Sequence, residues 1–226
     1  MGKYFQLLRQ FLKQNYKTIY FNFKYLQFKQ AIEMPIRLSN KVYLRKTKGK
    51  IIINSPIKYE MIQIGFKDVG IFDEKISRSI WEVAGTVIFN GRTKIGHGSK
   101  ISVGKEGTLI FGENFTITAE SSIVAFSKIE FGKNCLLSWD VLIMDTDFHK
   151  IYEINDFQKK RINFPKKILF GNNVWVGCRC LILKGSDIPN NCVIGANSVV
   201  SRKLQKENSI YVGNPVKLLK EEISWE

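Results

Sequence analysis

A period of six residues constrains this chain more than any other feature. From Phe170 onward an apolar side chain returns at Phe170, Val176, Ile182, Ile188, Ile194 and Val200. A small or branched one stands four positions after an apolar anchor at Val174, Cys180, Ser186, Cys192 and Ser198. Gly follows the apolar residue directly at Gly171, Gly177 and Gly195. Six residues match neither a 3.6-residue helix nor hairpins of variable turn length. They match a short strand and a tight turn repeated at fixed length, with the large side chain inward, the small one in the corner, and Gly or Asn taking the turn dihedrals. An upstream array repeats the spacing at Phe111, Ile117, Ile123 and Ile129, slips by two, and resumes at Phe131, Leu137 and Ile143. Ile95-Gly96 and Val103-Gly104 sit eight apart, so the first coils carry small insertions. Two arrays of this length predict a mainly β fold, a left-handed parallel β-helix of hexapeptide repeats.

Three regions depart from the period. Residues 145–167 separate the two arrays and contain Asp145, Asp147, His149, Tyr152 and Pro165, so they are expected as a loop extruded from the coil. After Val200 the repeat ends, Gly213-Asn214-Pro215 forms a turn, and residues 213–226 are expected as a short helix or extended tail. Residues 1–80 are expected as a separate basic leader, and residues 81–212 as the β-helix. Within the leader, residues 4–19 place Tyr4, Leu8, Phe11, Leu12 and Ile19 among basic residues, the pattern of an amphipathic helix. Residues 20–28 look extended, and residues 42–64 look like early strands.

Charge divides along the same line. The 226 residues carry 35 basic and 20 acidic side chains, a net of +15. Residues 1–60 hold 13 Lys/Arg against Glu33 and Glu60, and the rest of the chain is nearly balanced. The basic pI therefore reports a leader, not a nucleic-acid-binding chain, and no nucleic-acid motif accompanies it. No apolar run reaches the roughly 18 residues of a membrane helix, and the first residues lack the apolar core of a signal peptide.

The stretches Asn172-Asn173-Val174-Trp175-Val176-Gly177, Leu183-Lys184-Gly185, Ile194 to Val200 and Gly213-Asn214-Pro215-Val216-Lys217 resemble the C-terminal half of hexapeptide-repeat acyltransferases. The branch most resembled O-acetylates sugars, including lipopolysaccharide and capsular glycans. Ser138 to His149 resembles its catalytic loop. The resemblance covers roughly residues 85–220. It implies a homotrimer, with acetyl-CoA in the groove between subunits. The matching cofactor positions are Gly177, Cys178, Ala196, Ser201, Arg202, Lys217 and Lys220, with the cations facing the CoA phosphates. Trp175 is expected outward, against cofactor or substrate. This chain has Arg202 where the family commonly has Lys, Val216 where it has Ala, and Cys178 where it often has Ser or Ala.

Acetyl transfer to a hydroxyl requires a base. Only His97 and His149 titrate near neutrality without help. His149 follows Asp145 and Asp147 closely, and a carboxylate on one ring nitrogen would leave the other as base, although spacing does not say which Asp serves. His97 is read as a turn residue on the coil surface. Trp139 and Asp140 are placed beside the acceptor, where Trp139 serves equally as a sugar platform or as coil packing. The implied chemistry is direct O-acetyl transfer. N-acetylation of an amino sugar is the nearest rival, followed by a non-catalytic membrane-surface trimer carried by the leader. A zinc site is not expected, because Cys178-x-Cys180 has the wrong spacing and two His cannot supply three ligands. Cys135, Cys180 and Cys192 fall in the small corner slot, as buried thiols of a reducing cytoplasm. An anionic membrane face is the remaining partner expected of the leader.

Overall fold

The computed structural model describes residues 3–66, 69–73, 75–154 and 159–226. Among these the chain winds through three parallel sheets of nine, seven and six strands, visiting them in turn. In the C-terminal coils Phe170 pairs with Ile188, Val176 with Ile194 and Ile182 with Val200, each 18 positions apart, which is three hexapeptides. Upstream the turns lengthen. Ile117 pairs with Leu137 and Ile123 with Ile143, 20 apart, while Ile95–Ile117 and Phe89–Phe111 are 22 apart.

Every apolar residue of both arrays is buried. On one inner face the rings of Phe89, Phe111, Phe131 and Phe170 stack coil upon coil, with centroids 5.3, 5.8 and 4.5 Å apart. One corner carries Asn114, Asn134, Asn173, Asn191 and Asn208, all at φ between 52° and 59°. Asn tolerates this left-handed turn because its short amide finds local partners. Asn173 and Asn191 bond at 3.2 Å, and Asn191 and Asn208 at 2.9 Å. At the neighbouring position a Cβ on Gly132 would fall on the backbone oxygen of Gly171, so the coils approach there as only Gly permits. Cys135, Cys180 and Cys192 fill the expected corner slot. Their thiols donate to the carbonyls of Gly171, Gly195 and Lys206 at 3.3, 3.1 and 3.4 Å. Burial pushes the Cys135 thiol up to about 12.

The coils begin earlier than residue 81. Ile36–Leu38 is the edge strand of the nine-stranded sheet and pairs with Ile62–Ile64. Tyr43–Thr47 and Lys50–Ile53 join the other two sheets, in line with the early strands expected over 42–64. The leader proper holds two longer helices and a short third one, Phe28–Ala31, not a single helix. Helix α1 spans Lys3–Leu12, and α2 spans Tyr16–Tyr25. They break at Asn15, whose side-chain oxygen accepts from the Thr18 N–H at 3.0 Å and caps α2. Residues 20–25 are therefore helical and not extended. Alternation alone misread them, because their aromatics mark where α2 meets the coil. Phe21 is buried against Trp81 at 5.3 Å, and Asn22 exchanges hydrogen bonds with the backbone of Ile36 at 2.6 and 3.2 Å. Thr18 takes the Leu38 N–H at 2.9 Å. Helix α2 thus covers a strand edge that would otherwise be open to pairing.

At the other end no helix forms. Lys217–Lys220 is a strand running antiparallel to Ile210–Val212. The backbone groups left at the sheet edge favour a strand there over a helix.

Candidate active site

The 145–167 loop leaves the coil between the second and third sheets. Leu137 pairs with Val176, Ile143 with Ile182 and Phe131 with Phe170, each 39 positions apart and not 18. The chain thus inserts an arm here without disturbing the register on either side. Residues 155–158 of the expected loop lie outside the described residues.

The neck of the arm is held by the two aspartates, but not in the way the spacing suggested. Asp145 is fully buried, and its two carboxylate oxygens accept the backbone N–H groups of Phe126 and Ser127, both at 2.7 Å. Burial raises its pKa above the ordinary carboxylate range, against the lowering effect of those N–H groups. Its own carbonyl accepts from Lys166 N–H at 3.1 Å and closes the neck. Asp147 faces the other way, accepting from Lys184 and, at 2.8 Å, from Asn163. The Lys184 hydrogen bond, then that of Asn163, hold its carboxyl below the usual range. Neither carboxylate hydrogen-bonds the His149 ring. Both are engaged by groups from other coils or from the far side of the arm.

His149 lies on the exposed arm, and among the described residues its imidazole has no hydrogen-bond or ion-pair partner, its contacts being those of its backbone. Its backbone is fixed all the same. The His149 N–H donates to Asp147 O at 2.6 Å, and Asn163 Nδ2 donates to His149 O at 2.8 Å. Asn163 is buried and also accepts the Ile151 N–H at 2.8 Å. Phe148 packs edge-on to Phe126 at 5.1 Å. Asn163 and Lys184 were not singled out in the sequence. Lys184 stood inside a quoted motif, whereas Asn163 carried no signal, because apart from Arg161 its partners lie 12 to 16 positions away.

The other expected residues gather at a different corner, between the first and second sheets. Hydrogen bonds from Arg179 N to Trp139 O (3.0 Å) and from Asn197 N to Cys178 O (2.9 Å) align Trp139-Asp140, Cys178-Arg179 and Ala196-Asn197 as one edge. Asp140 pairs with Arg179 at 3.9 Å, Trp139 is half-buried, and Ala196 is exposed. Gly177 is buried, and a Cβ there would lie 2.7 Å from the Ala196 nitrogen. Trp175 is outward as expected, 37% exposed. Its indole N–H donates to Ser138 Oγ at 3.1 Å, and its ring lies 6.0 Å from Trp225. Ser201 and Arg202 are exposed beyond the second sheet, and Arg202 donates to the Val216 carbonyl at 3.1 Å. Lys217 and Lys220 are exposed on the last strand. Three positions apart in a strand, they do not share one face as they would in the short helix that was the alternative for this tail. A single chain therefore puts His149 at one corner and the Trp139–Ala196 edge at the next, with the second sheet between them.

His97 is corrected too. It ends the strand Thr93–His97, is buried, and sits 3.6 Å from Glu120. No group of three or more metal-capable side chains occurs among the described residues.

No protein-family model matches the chain. A polysialic acid O-acetyltransferase of Neisseria meningitidis is 40% identical over 106 residues, 47% of this chain and 48% of the relative. One from Escherichia coli O1:K1 / APEC is 29% identical over 128 residues, 57% of this chain and 38% of the relative. The chain thus spans about half, or less, of these curated relatives' length. The crystal structure of a polysialic-acid-specific acetyltransferase, NeuO, superposes with a TM-score of 0.56 at 27% identity, covering 85% of this chain and 74% of that one. The coils, their register and these similarities agree: the chain is a left-handed β-helix related to the hexapeptide-repeat acyltransferases, and among them to the polysaccharide O-acetyltransferases.

Proposed function

We propose that the protein transfers an acetyl group from acetyl-CoA to a hydroxyl of a saccharide or glycolipid. The observation that carries this reading is His149: an exposed imidazole without a partner, on an arm whose neck is fixed by Asp145, Asp147, Lys184 and Asn163. A base must be free to meet its substrate yet held in place. The acceptor oxygen loses its proton to His149 and bonds the acyl carbon, the carbon–sulfur bond breaks, and CoA leaves as thiolate. No Ser or Cys is paired with His149 among the described residues, which supports direct transfer over an acyl-enzyme.

The donor's place is the edge of Gly177, Cys178 and Ala196, where small side chains leave backbone groups open to the pantetheine amides. Arg202, Lys217 and Lys220 supply cations for the phosphates. Trp175 and Trp139 line the acceptor side, and the Ser138 bond fixes the Trp175 indole. Because one chain separates this edge from His149, the site is complete only when a second copy brings its arm alongside, which supports a homotrimer. The enzyme works in the cytoplasm, where acetyl-CoA is available. Exposed Leu8, Leu12, Tyr16 and Tyr20 beside basic residues give the leader a face for anionic lipid. A Leu8→Glu/Leu12→Glu variant should lose co-sedimentation with anionic vesicles, and unchanged sedimentation removes the membrane role.

The deciding assay is CoA release from acetyl-CoA with hydroxyl and amino sugars. His149→Ala is expected to lower turnover by about 10²–10⁴-fold while assembly mass and CoA affinity stay unchanged. Near-wild-type turnover in that variant ends the assignment, and preference for amino sugars converts the enzyme to an N-acetyltransferase.

A further inference from the structure

Residues 221–226 follow the strand Lys217–Lys220 and run back over the asparagine corner. Glu221 pairs with Lys206 at 3.4 Å, and the chain reverses at Glu222, which takes a left-handed φ of 58°. A Glu holds that conformation only where its surroundings fix the turn. The Ile223 N–H then donates to Asn208 O at 2.9 Å, and the Trp225 indole N–H to Asn173 O at 2.8 Å. Asn173, Asn191 and Asn208 follow one another along the corner. These residues therefore form a strap that climbs two coils, about 10 Å, and sets Trp225 beside Trp175.

Trp175 opens the strand Trp175–Val176, just past the asparagine corner. Its indole N–H reaches Ser138 Oγ at 3.1 Å, beyond the far end of the paired strand Leu136–Leu137. Ser138 is itself fixed, its N–H donating to Val176 O at 2.9 Å. One hydrogen bond leaves an indole free to swing about it. The second hold is Trp225, whose ring lies 6.0 Å from that of Trp175 at 47°. This spacing is within the range of favourable aromatic pairs. A Trp side chain has only two torsions, so a bonded N–H and a packed ring suffice to set its orientation. Trp225 does not depend on Trp175 for its own placement, because its N–H is on a backbone carbonyl. Trp175 nevertheless remains exposed, so the held ring can still meet a ligand.

We propose that Trp225 is a positioning residue. It keeps the Trp175 indole in the orientation that lines the acceptor side of the site, and it acts only through that ring. A wall fixed beforehand spares the ordering cost that a free one incurs on binding. This rests on the reading of Trp175 as an acceptor-side residue of an acetyltransferase, and adds to it a residue from outside the repeats.

Hydrogen exchange of the Trp175 indole N–H, assigned through Trp175→Phe, tests the hold by NMR without any substrate. In Trp225→Ala the exchange should be about two- to tenfold faster, the worth of one aromatic pair, with the melting temperature nearly unchanged. Trp225→Phe keeps a ring against Trp175 and should restore most of the protection. In the CoA-release assay, with the hydroxyl sugar that the unmodified enzyme acetylates fastest, Trp225→Ala should raise the sugar KM by a similar factor and change kcat little. In a Trp175→Phe background the same substitution should add nothing, because the two residues act as a unit. Unchanged indole exchange in Trp225→Ala, or a full further loss in the Trp175→Phe background, overturns the inference. A lowered melting temperature with exchange and KM both unchanged makes Trp225 a strut of the strap alone, and overturns it too. If the unmodified protein acetylates no sugar, the proposed function falls, and the exchange measurement still decides whether Trp225 holds Trp175.

Discussion

The coils after Phe170 and the arm before it obey opposite rules. Along the coils each side chain's role follows from its place in an 18-residue turn, and its partner one coil away is of like character, apolar on apolar and Asn on Asn. In the arm the two aspartates are satisfied by groups unlike themselves. Asp145 takes backbone N–H groups 18 and 19 positions back, and Asp147 takes Lys184 37 positions ahead. The rigid coil supplies stability by repetition, and its regularity lets an insertion be tolerated without loss of register. The proposed base sits where the repetition stops, on a side chain free of the inward and outward alternation.

The strongest way to break this contrast is to attack each region in turn. Phe131→Ala removes the middle of the ring stack and should cost about 3–5 kcal/mol, read as a lower denaturant midpoint. A loss under about 1 kcal/mol would mean that the stack is not the core of the coil. Replacing residues 150–162 by a short Gly linker should do the reverse, abolishing transfer while the melting temperature stays nearly unchanged. Large destabilisation would show that the arm is part of the fold and not carried by it.

The two aspartates sharpen the comparison inside the arm. In Asp145→Asn the amide can accept from only one of the two backbone N–H groups, so a loss of about 1–3 kcal/mol is expected. Asp147→Asn, at an exposed pair, should change stability by no more than about 0.5 kcal/mol. Their pH signs are opposite. Asp145 holds its proton more tightly folded than unfolded, so its contribution falls as pH rises from the ordinary carboxylate value through its raised one. Asp147 stabilises fully above the ordinary value and loses this as pH falls through its lowered one. Melting curves from about pH 3 to about pH 7 should lose the first slope in Asp145→Asn and the second in Asp147→Asn. The same slope change in both variants would show that the two carboxylates are not differently placed.

The smallest effect concerns the thiols. Cys178 is half-buried on the Trp139–Ala196 edge, whereas Cys135, Cys180 and Cys192 are buried. A thiol reagent should label Cys178 alone in the folded protein, and bound CoA should slow the labelling. Cys178→Ser should alter stability by less than about 0.5 kcal/mol. Labelling of a second cysteine without unfolding would show that the corner slot is open to solvent and not buried.

Sequence alone was enough for the coil, because a period of six is a local property. Which residue points inward depends on its position in one short strand, and Phe170, Val176 and Ile182 declare it without reference to anything distant. It was enough to mark the arm as an interruption and His149 as its candidate base. The burial of His97, the turning of Asp145 into the coil, the pinning of the arm by Asn163 and Lys184, the folding of residues 20–25 into a helix over an open strand edge, and the strand at Lys217–Lys220 were decided only in three dimensions. So was the separation of His149 from the Trp139–Ala196 edge by a whole sheet. Each depends on a partner whose distance along the chain is set by the lengths of intervening coils, and a polar group's choice among such partners is made by burial and hydrogen-bond geometry, not by spacing.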